Sequence, residues 1–333
     1  MMKHLKFLIG FILLVLTALA SFGTFSLPRV EKWDSNRFSA ERASKHIEVM
    51  SKVPHSVEHP VERAQVRRYL YDILEDMGGE PEIHEYDSIK FRYGGYFDIG
   101  NVYCQFDPLS GPADSYIMMV AHFDSRFRQT KLQKTVYSYG AGDDAYGVGS
   151  ILELLSQALK YRDEWHQGVR ILFTDSEENA LDGMKCAAKY NPELFENVGY
   201  VVNLESRGMN GQVLLFETSA NNENVLDLYS EAKAPYGYSL TTVVYRFLPN
   251  NTDFTIVKDS IPGINFSTID NINYYHVDDD NFENINLATI QHYGAQIEPI
   301  LEEFLTSGEY RDPDALKGDE DLVFFTVPIL GIF

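Results

Sequence analysis

From Ile99 onward, short apolar runs alternate with segments of helical periodicity, and this alternation restricts the possible folds more than any other feature of the chain. The runs are Tyr116 to Ala121, Val148 to Leu159, Val169 to Phe173, Leu181 to Tyr190, Val198 to Leu204 and Val213 to Phe216. A further strand from Ile261 to Phe266 and a long amphipathic helix from Ala288 to Leu305 complete the series. Alternation of this kind predicts a mostly parallel sheet with helices on both faces. The expected fold class is α/β, a three-layer α/β/α arrangement around a mostly parallel mixed central sheet, preceded by one N-terminal hydrophobic segment. Two amphipathic stretches, Ser39 to Ser51 and Val61 to Met77, read as surface helices, the second closed by Gly78 and Gly79. A chain of 333 residues, 44% hydrophobic, can bury a core of this size.

The N-terminus predicts export. Lys3, His4 and Lys6 precede an uncharged run from Phe7 to Phe25. Its length is near the roughly 20 residues that span a bilayer, which fits an uncleaved anchor, and Ala18 and Ala20 fit a cleavage site. Either way the rest of the chain is expected outside the cytosol, membrane-anchored or secreted. The net charge of −21 would repel nucleic acid phosphates, so nucleic acid is excluded as a partner. Cys104 and Cys186 lack the spacing of a thiolate metal site and read as two free thiols or one disulfide. The last residues, Leu322 to Phe333, read as a final strand or a tail packed on the core, or as the start of a further membrane segment.

In open α/β sheets ligands bind beyond the carboxyl ends of the strands, so the residues after each apolar run carry the functional reading. The first strand runs into His122-Phe123-Asp124, an imidazole with a carboxylate two residues on and on the same face. Asp124 could accept the imidazole proton that a metal does not displace. A glycine-rich turn, Gly140 to Gly147, carries Asp143 and Asp144 into the next helix; acidic residues there cap helices, but the small residues also allow close approach of a ligand. Asp175, Glu177 and Glu178 crowd the next strand end, where a solvated loop or a cation plus a general base would offset their repulsion. Glu205 and Arg207 follow the next, and Tyr274-Tyr275-His276 precedes Asp278, Asp279 and Asp280. Taken singly, each cluster has an ordinary structural explanation. Together, two histidines and several carboxylates suit zinc, and a shared carboxylate suits a pair of ions.

The segments MMVAHFDS, GAGDDAYGVGSILELL, ILFTDSEENALDG, YVVNLESRGMNGQVLLFETS and INYYHVDDDNFENI stand in one order. In that order they resemble the metallopeptidase family that includes bacterial leucine-type aminopeptidases, glutamate carboxypeptidase II and the vacuolar or endoplasmic-reticulum membrane metallopeptidases. The resemblance covers roughly Phe38 to Leu305. It implies two zinc ions, with His122 and Glu205 on one, Glu178 and His276 on the other, and Asp143 bridging both. It implies Glu177 as general base, Asp124 as the partner of the ligand histidine, and peptides as substrates, of which the acidic balance of the chain favours those with a free N-terminus. Tyr275 or Tyr274 could hydrogen-bond the oxyanion. Glu205, where many soluble relatives have Asp, points to the vacuolar and endoplasmic-reticulum branch; Val277, where the family more often has Thr, removes a hydroxyl but no ligand.

The resulting expectation is a zinc aminopeptidase, with residues 1–28 as signal peptide or anchor, 29–308 as the peptidase domain and 309–333 as an acidic linker and apolar tail. The rivals are a single-zinc glutaminyl cyclase and a non-catalytic binding ectodomain. Action at a C-terminal carboxylate, bound by Arg207 or Arg246, is the other possible substrate end; the acidic balance favours an amine.

Overall fold

The computed structural model describes residues 2–23, 26–131, 133–248, 250–327 and 331–333. Its strands are β1 (Glu82–Lys90), β2 (Tyr96–Phe106), β3 (Tyr116–His122), β4 (Gln129–Lys131), β5 (Lys134–Val136), β6 (Gly168–Thr174), β7 (Val198–Ser206), β8 (Asn210–Thr218) and β9 (Gly263–Asp270). Seven of them form one sheet in the order β1-β2-β6-β3-β7-β9-β8, and β4 pairs with β5 apart from it. β3 is parallel to β6 and β7, and β7 to β9, while β1, β2 and β8 join antiparallel at the edges.

The parallel strands were legible because each is buried on both faces and so reads as an unbroken apolar run. β1 was not: it is an edge strand, half exposed, whose charged residues break any apolar run. β3 shows how one strand serves two layers. Ile117, Met119 and Ala121 join the core on one face, and Met118 and Val120 join a second cluster on the other.

The helices supply the outer layers. In chain order they are α1 (Met2–Gly23), α2 (Ala40–Met50), α3 (Pro60–Asp76), α4 (Ala145–Ala158), α5 (Glu177–Ala180), α6 (Asp182–Tyr190), α7 (Glu223–Tyr229), α8 (Ser239–Tyr245), α9 (Phe254–Val257) and α10 (Leu287–Thr306). α2, α4 and α10 pack on one another over one face of the sheet. There the Phe38 ring fills the space a side chain at Gly294 would need, since a Cβ at that position would lie 2.0 Å from the ring. Met184 of α6 and Phe254 of α9 cover the other face.

α1 forms on the N-terminal apolar run, with Leu5, Phe7 and Leu14 exposed. Among the described residues no helix is long and apolar enough to cross a membrane. Cys104 and Cys186 are both free thiols, which settles that alternative against a disulfide. At the far end Phe324 enters the core, and β10 (Thr326–Val327) pairs with β11 (Gly331–Ile332).

Candidate metal centre

Because β6, β3, β7 and β9 run parallel, their carboxyl ends lie along one rim of the sheet. The register does the rest. His122 pairs with Thr174, so the chain leaving β6 delivers Glu177 and Glu178 beside it. Val120 pairs with Asn203, so two residues further on His122 and Glu205 come level on neighbouring strands. His276 is not at a strand end: it follows β9 by a 3-10 turn and has left-handed φ of 60°. Asp143 is not at one either, and reaches the rim from the glycine-rich turn ahead of α4.

That turn separates the two adjacent aspartates. Asp144 caps α4 by accepting the Gly147 N–H at 3.1 Å. Asp143 faces both histidines, with Oδ1 3.1 Å from His122 Nε2 and Oδ2 3.2 Å from His276 Nε2. Gly140 takes φ of 68°, so the turn needs glycine there, and a side chain at Gly142 would meet Met209 Sδ at 2.5 Å.

Two groups of possible ligand atoms result, each within 4.8 Å across: His122, Asp143 and Glu205, and Asp143, Glu178 and His276. Asp143 belongs to both. His276 Nε2 lies 3.0 Å from Glu178 Oε1, and His122 Nε2 3.8 Å from Glu205 Oε2. Asp143 Oδ2, Glu178 Oε1 and His276 Nε2 are buried yet make no hydrogen bond among the described residues. Three such atoms converging on one point are costly unless something positive lies between them, and imidazole with carboxylate oxygens is a donor set that suits zinc. The residues fit a metal.

Asp124 links His122 to Glu177. His122 Nδ1–H donates to the Asp124 main-chain carbonyl at 3.0 Å, which leaves Nε2 facing Asp143 and Glu205. The Asp124 carboxylate is 3.4 Å from that ring, and its Oδ1 accepts the Glu177 N–H at 2.9 Å.

Residues 101–301 match peptidase family M28. The chain belongs to that family. It is 31% identical over 254 residues to endoplasmic reticulum metallopeptidase 1 of Homo sapiens, an alignment that takes in 74% of this chain and 26% of that protein. The chain thus spans about a quarter of the length of this curated relative. In fold it resembles an aminopeptidase from Aneurinibacillus sp. strain AM-1, with TM-score 0.66, 14% identity, and 86% of this chain and 97% of that one covered. Glutaminyl cyclase of Porphyromonas gingivalis superposes with the same TM-score of 0.66, at 19% identity, covering 81% and 99%.

The candidate site opens on a cleft of about 810 Å³, whose floor includes Asp143, Glu177, Glu178, Glu205 and His276. Its electrostatics are those of a site short of positive charge. Burial pushes the Glu177 and Glu205 carboxyls well above the usual range, and each crowds the site further with neighbouring acids. Burial alone would lower both histidines. Asp124 and Asp143 instead raise His122, and Glu178 and Asp143 raise His276 to about 9.

Tyr275 lines the cleft and stacks on His276 at 3.5 Å, whereas Tyr274 packs against the core. Arg207 also lines the cleft; Arg246 is exposed and does not. Sequence reading gave no role to two residues that hold this site. Arg126 Nη1 donates to Glu178 Oε2 at 2.6 Å, leaving Oε1 for the imidazole. Asp280 accepts the Gly142 N–H at 2.6 Å and the Ser138 hydroxyl at 2.7 Å, tying the Asp143 turn to the His276 loop. Only Asp280 left a trace in the sequence, as the last acid of its cluster.

Proposed function

We propose that the protein is a metal-dependent exopeptidase that removes N-terminal residues from peptides. The observation that carries this reading is Asp143, shared by two ligand groups. His122 and Glu205 would hold one zinc ion, Glu178 and His276 the other, and Asp143 both. When bound, the pair lowers the pKa of a water and polarises the scissile carbonyl.

The chain's own groups account for the remaining steps. Glu177, in the cleft floor and held by Asp124 through its backbone, takes a proton from the attacking water on its carboxylate and passes it to the leaving amine. The carboxylates of the floor attract a free α-ammonium group. The Tyr275 hydroxyl donates to the oxyanion.

A second reading, single-zinc glutaminyl cyclase chemistry, is favoured by the fold likeness. Two complete ligand groups weigh against it, as they do against a binding ectodomain without activity. We further assign residues 1–28 to membrane attachment or export, in keeping with the exposed apolar surface of α1, residues 29–308 to the peptidase domain outside the cytosol, and 309–333 to a linker and tail.

The deciding experiment counts bound metal in the purified chain and assays aminoacyl-anilide and N-terminal glutamine substrates with and without chelator. Two zinc ions per chain and chelator-sensitive anilide hydrolysis are expected. One ion with cyclisation of glutamine overturns the reading in favour of the cyclase.

A further inference from the structure

The cleft of this strongly acidic chain is lined by four cations, Arg92, Arg126, Lys185 and Arg207. Three of them are occupied. Arg92 donates to the Asn179 carbonyl, Lys185 to the Ala180 carbonyl, and Arg126 to Glu178.

Arg207 is held differently. Its backbone N–H, just past β7, donates to the Thr268 carbonyl at 2.9 Å, which fixes where its side chain starts. Its guanidinium carbon lies 5.0 Å from the centre of the Tyr275 ring, and Tyr275 in turn stacks on His276. Its Nε is buried without a hydrogen bond, and no carboxylate pairs with it among the described residues. A guanidinium is a fixed fork of five donors that matches a carboxylate in two parallel bonds, and one left without an anion in a cleft has that capacity to spare. One aromatic ring separates it from His276, so the ligand it serves is one held at the metal centre.

We infer that Arg207 is a specificity-determining residue that binds a carboxylate of the substrate, and that the protein prefers short peptides with a carboxylate close to the scissile bond. The group is either an acidic side chain or the C-terminus of a dipeptide. This rests on the hydrolase reading given above. The bland alternative is that Arg207 only props Tyr275 against His276, in which case its loss affects every substrate alike.

The test compares Ala-Ala with Ala-Ala-amide for the C-terminal source, and Glu-Ala-amide with Gln-Ala-amide for the side-chain source. In the intact protein kcat/KM favours the carboxylate by about tenfold or more in at least one pair, mainly through KM, as expected for a hydrogen-bonded charge. In R207Q that ratio collapses towards one, and R207K restores part of it. Equal rates within both pairs, or a ratio unchanged in R207Q while all rates fall, overturns the inference. The same four peptides are titrated by calorimetry into metal-loaded E177Q and into the R207Q/E177Q double variant. A preference in Kd that disappears with Arg207 upholds the inference even if no peptide is hydrolysed, which would sink the hydrolase reading alone. Binding without preference sinks the inference alone, and no binding of any peptide sinks it too.

Discussion

Replacing Asp280 by alanine tests whether the Asp143 turn is held in place from the His276 loop. The carboxyl accepts from Gly142 N at 2.6 Å and contacts Ser138 Oγ at 2.7 Å, all within a buried cluster. Burial, with the Asp143 charge beside it, pushes its pKa up to about 7. Asn is close to isosteric with it and keeps an oxygen to accept the Gly142 N–H, while its amide NH2 meets Ser138 Oγ as a donor where the carboxylate accepts. Alanine leaves the Gly142 N–H without an acceptor, at about 1–3 kcal/mol, and forfeits the Ser138 bond, at about 0.5–1.5 kcal/mol. We expect D280A to lose about 2–4 kcal/mol in urea denaturation of the chelated protein at pH 6, and D280N less than about 1 kcal/mol. Freed from its clamp, the turn no longer presents Asp143 to both histidines, and metal affinity measured by indicator competition falls about 10- to 100-fold in D280A. A D280A protein that is destabilised but binds metal as tightly as the parent would refute the reasoning.

Glu177→Gln should lower kcat by about 10² to 10⁴ while mass spectrometry finds the metal content unchanged; a loss of metal would make Glu177 a ligand instead of a base. Under limiting zinc, His276→Ala should retain one ion per chain and Asp143→Asn should retain neither, because only Asp143 is shared. His292 is buried neutral, accepting the Val213 N–H at 2.9 Å and donating to the Ala234 carbonyl at 2.8 Å, and burial lowers its pKa from 6.5 to about 4. The unfolded chain therefore binds the extra proton first, so about 3 kcal/mol of stability present above pH 6.5 is lost as pH falls to about 4. Urea melts at pH 7 and pH 4.5 should show that loss shrink in His292→Gln, and an equal loss in both proteins would exclude His292 as its source.

The parts of the fold and site that were legible share one physical origin. A strand buried on both faces has no room for polar residues, so β3, β6 and β7 announced themselves, and a polar residue at their ends stood out against the run. β1 carries charge on its open edge and lost that contrast. The choice between Asp143 and Asp144 was a matter of motif position in the sequence, and what distinguishes the two is visible only in space: Asp143 faces both histidines, whereas Asp144 Oδ1 accepts the Gly147 N–H in the first turn of α4. Arg126 and Asp280 reach their partners across 52 and 138 residues, and no local spacing encodes a contact of that span.

Asp124 marks where spacing stops being informative. Its place two residues after His122 puts both side chains on one face, which led to the expectation that the carboxylate takes the imidazole proton. The proton goes instead to the main-chain carbonyl of the same residue, at 3.0 Å, and the carboxylate stands slightly farther off at 3.4 Å. The side chain is thereby free to take the Glu177 N–H. One residue thus orients the imidazole with its backbone and Glu177 with its carboxylate. A substitution such as Asp124→Asn keeps the first function and weakens the second, and so separates two roles that the His-x-Asp pattern merges into one.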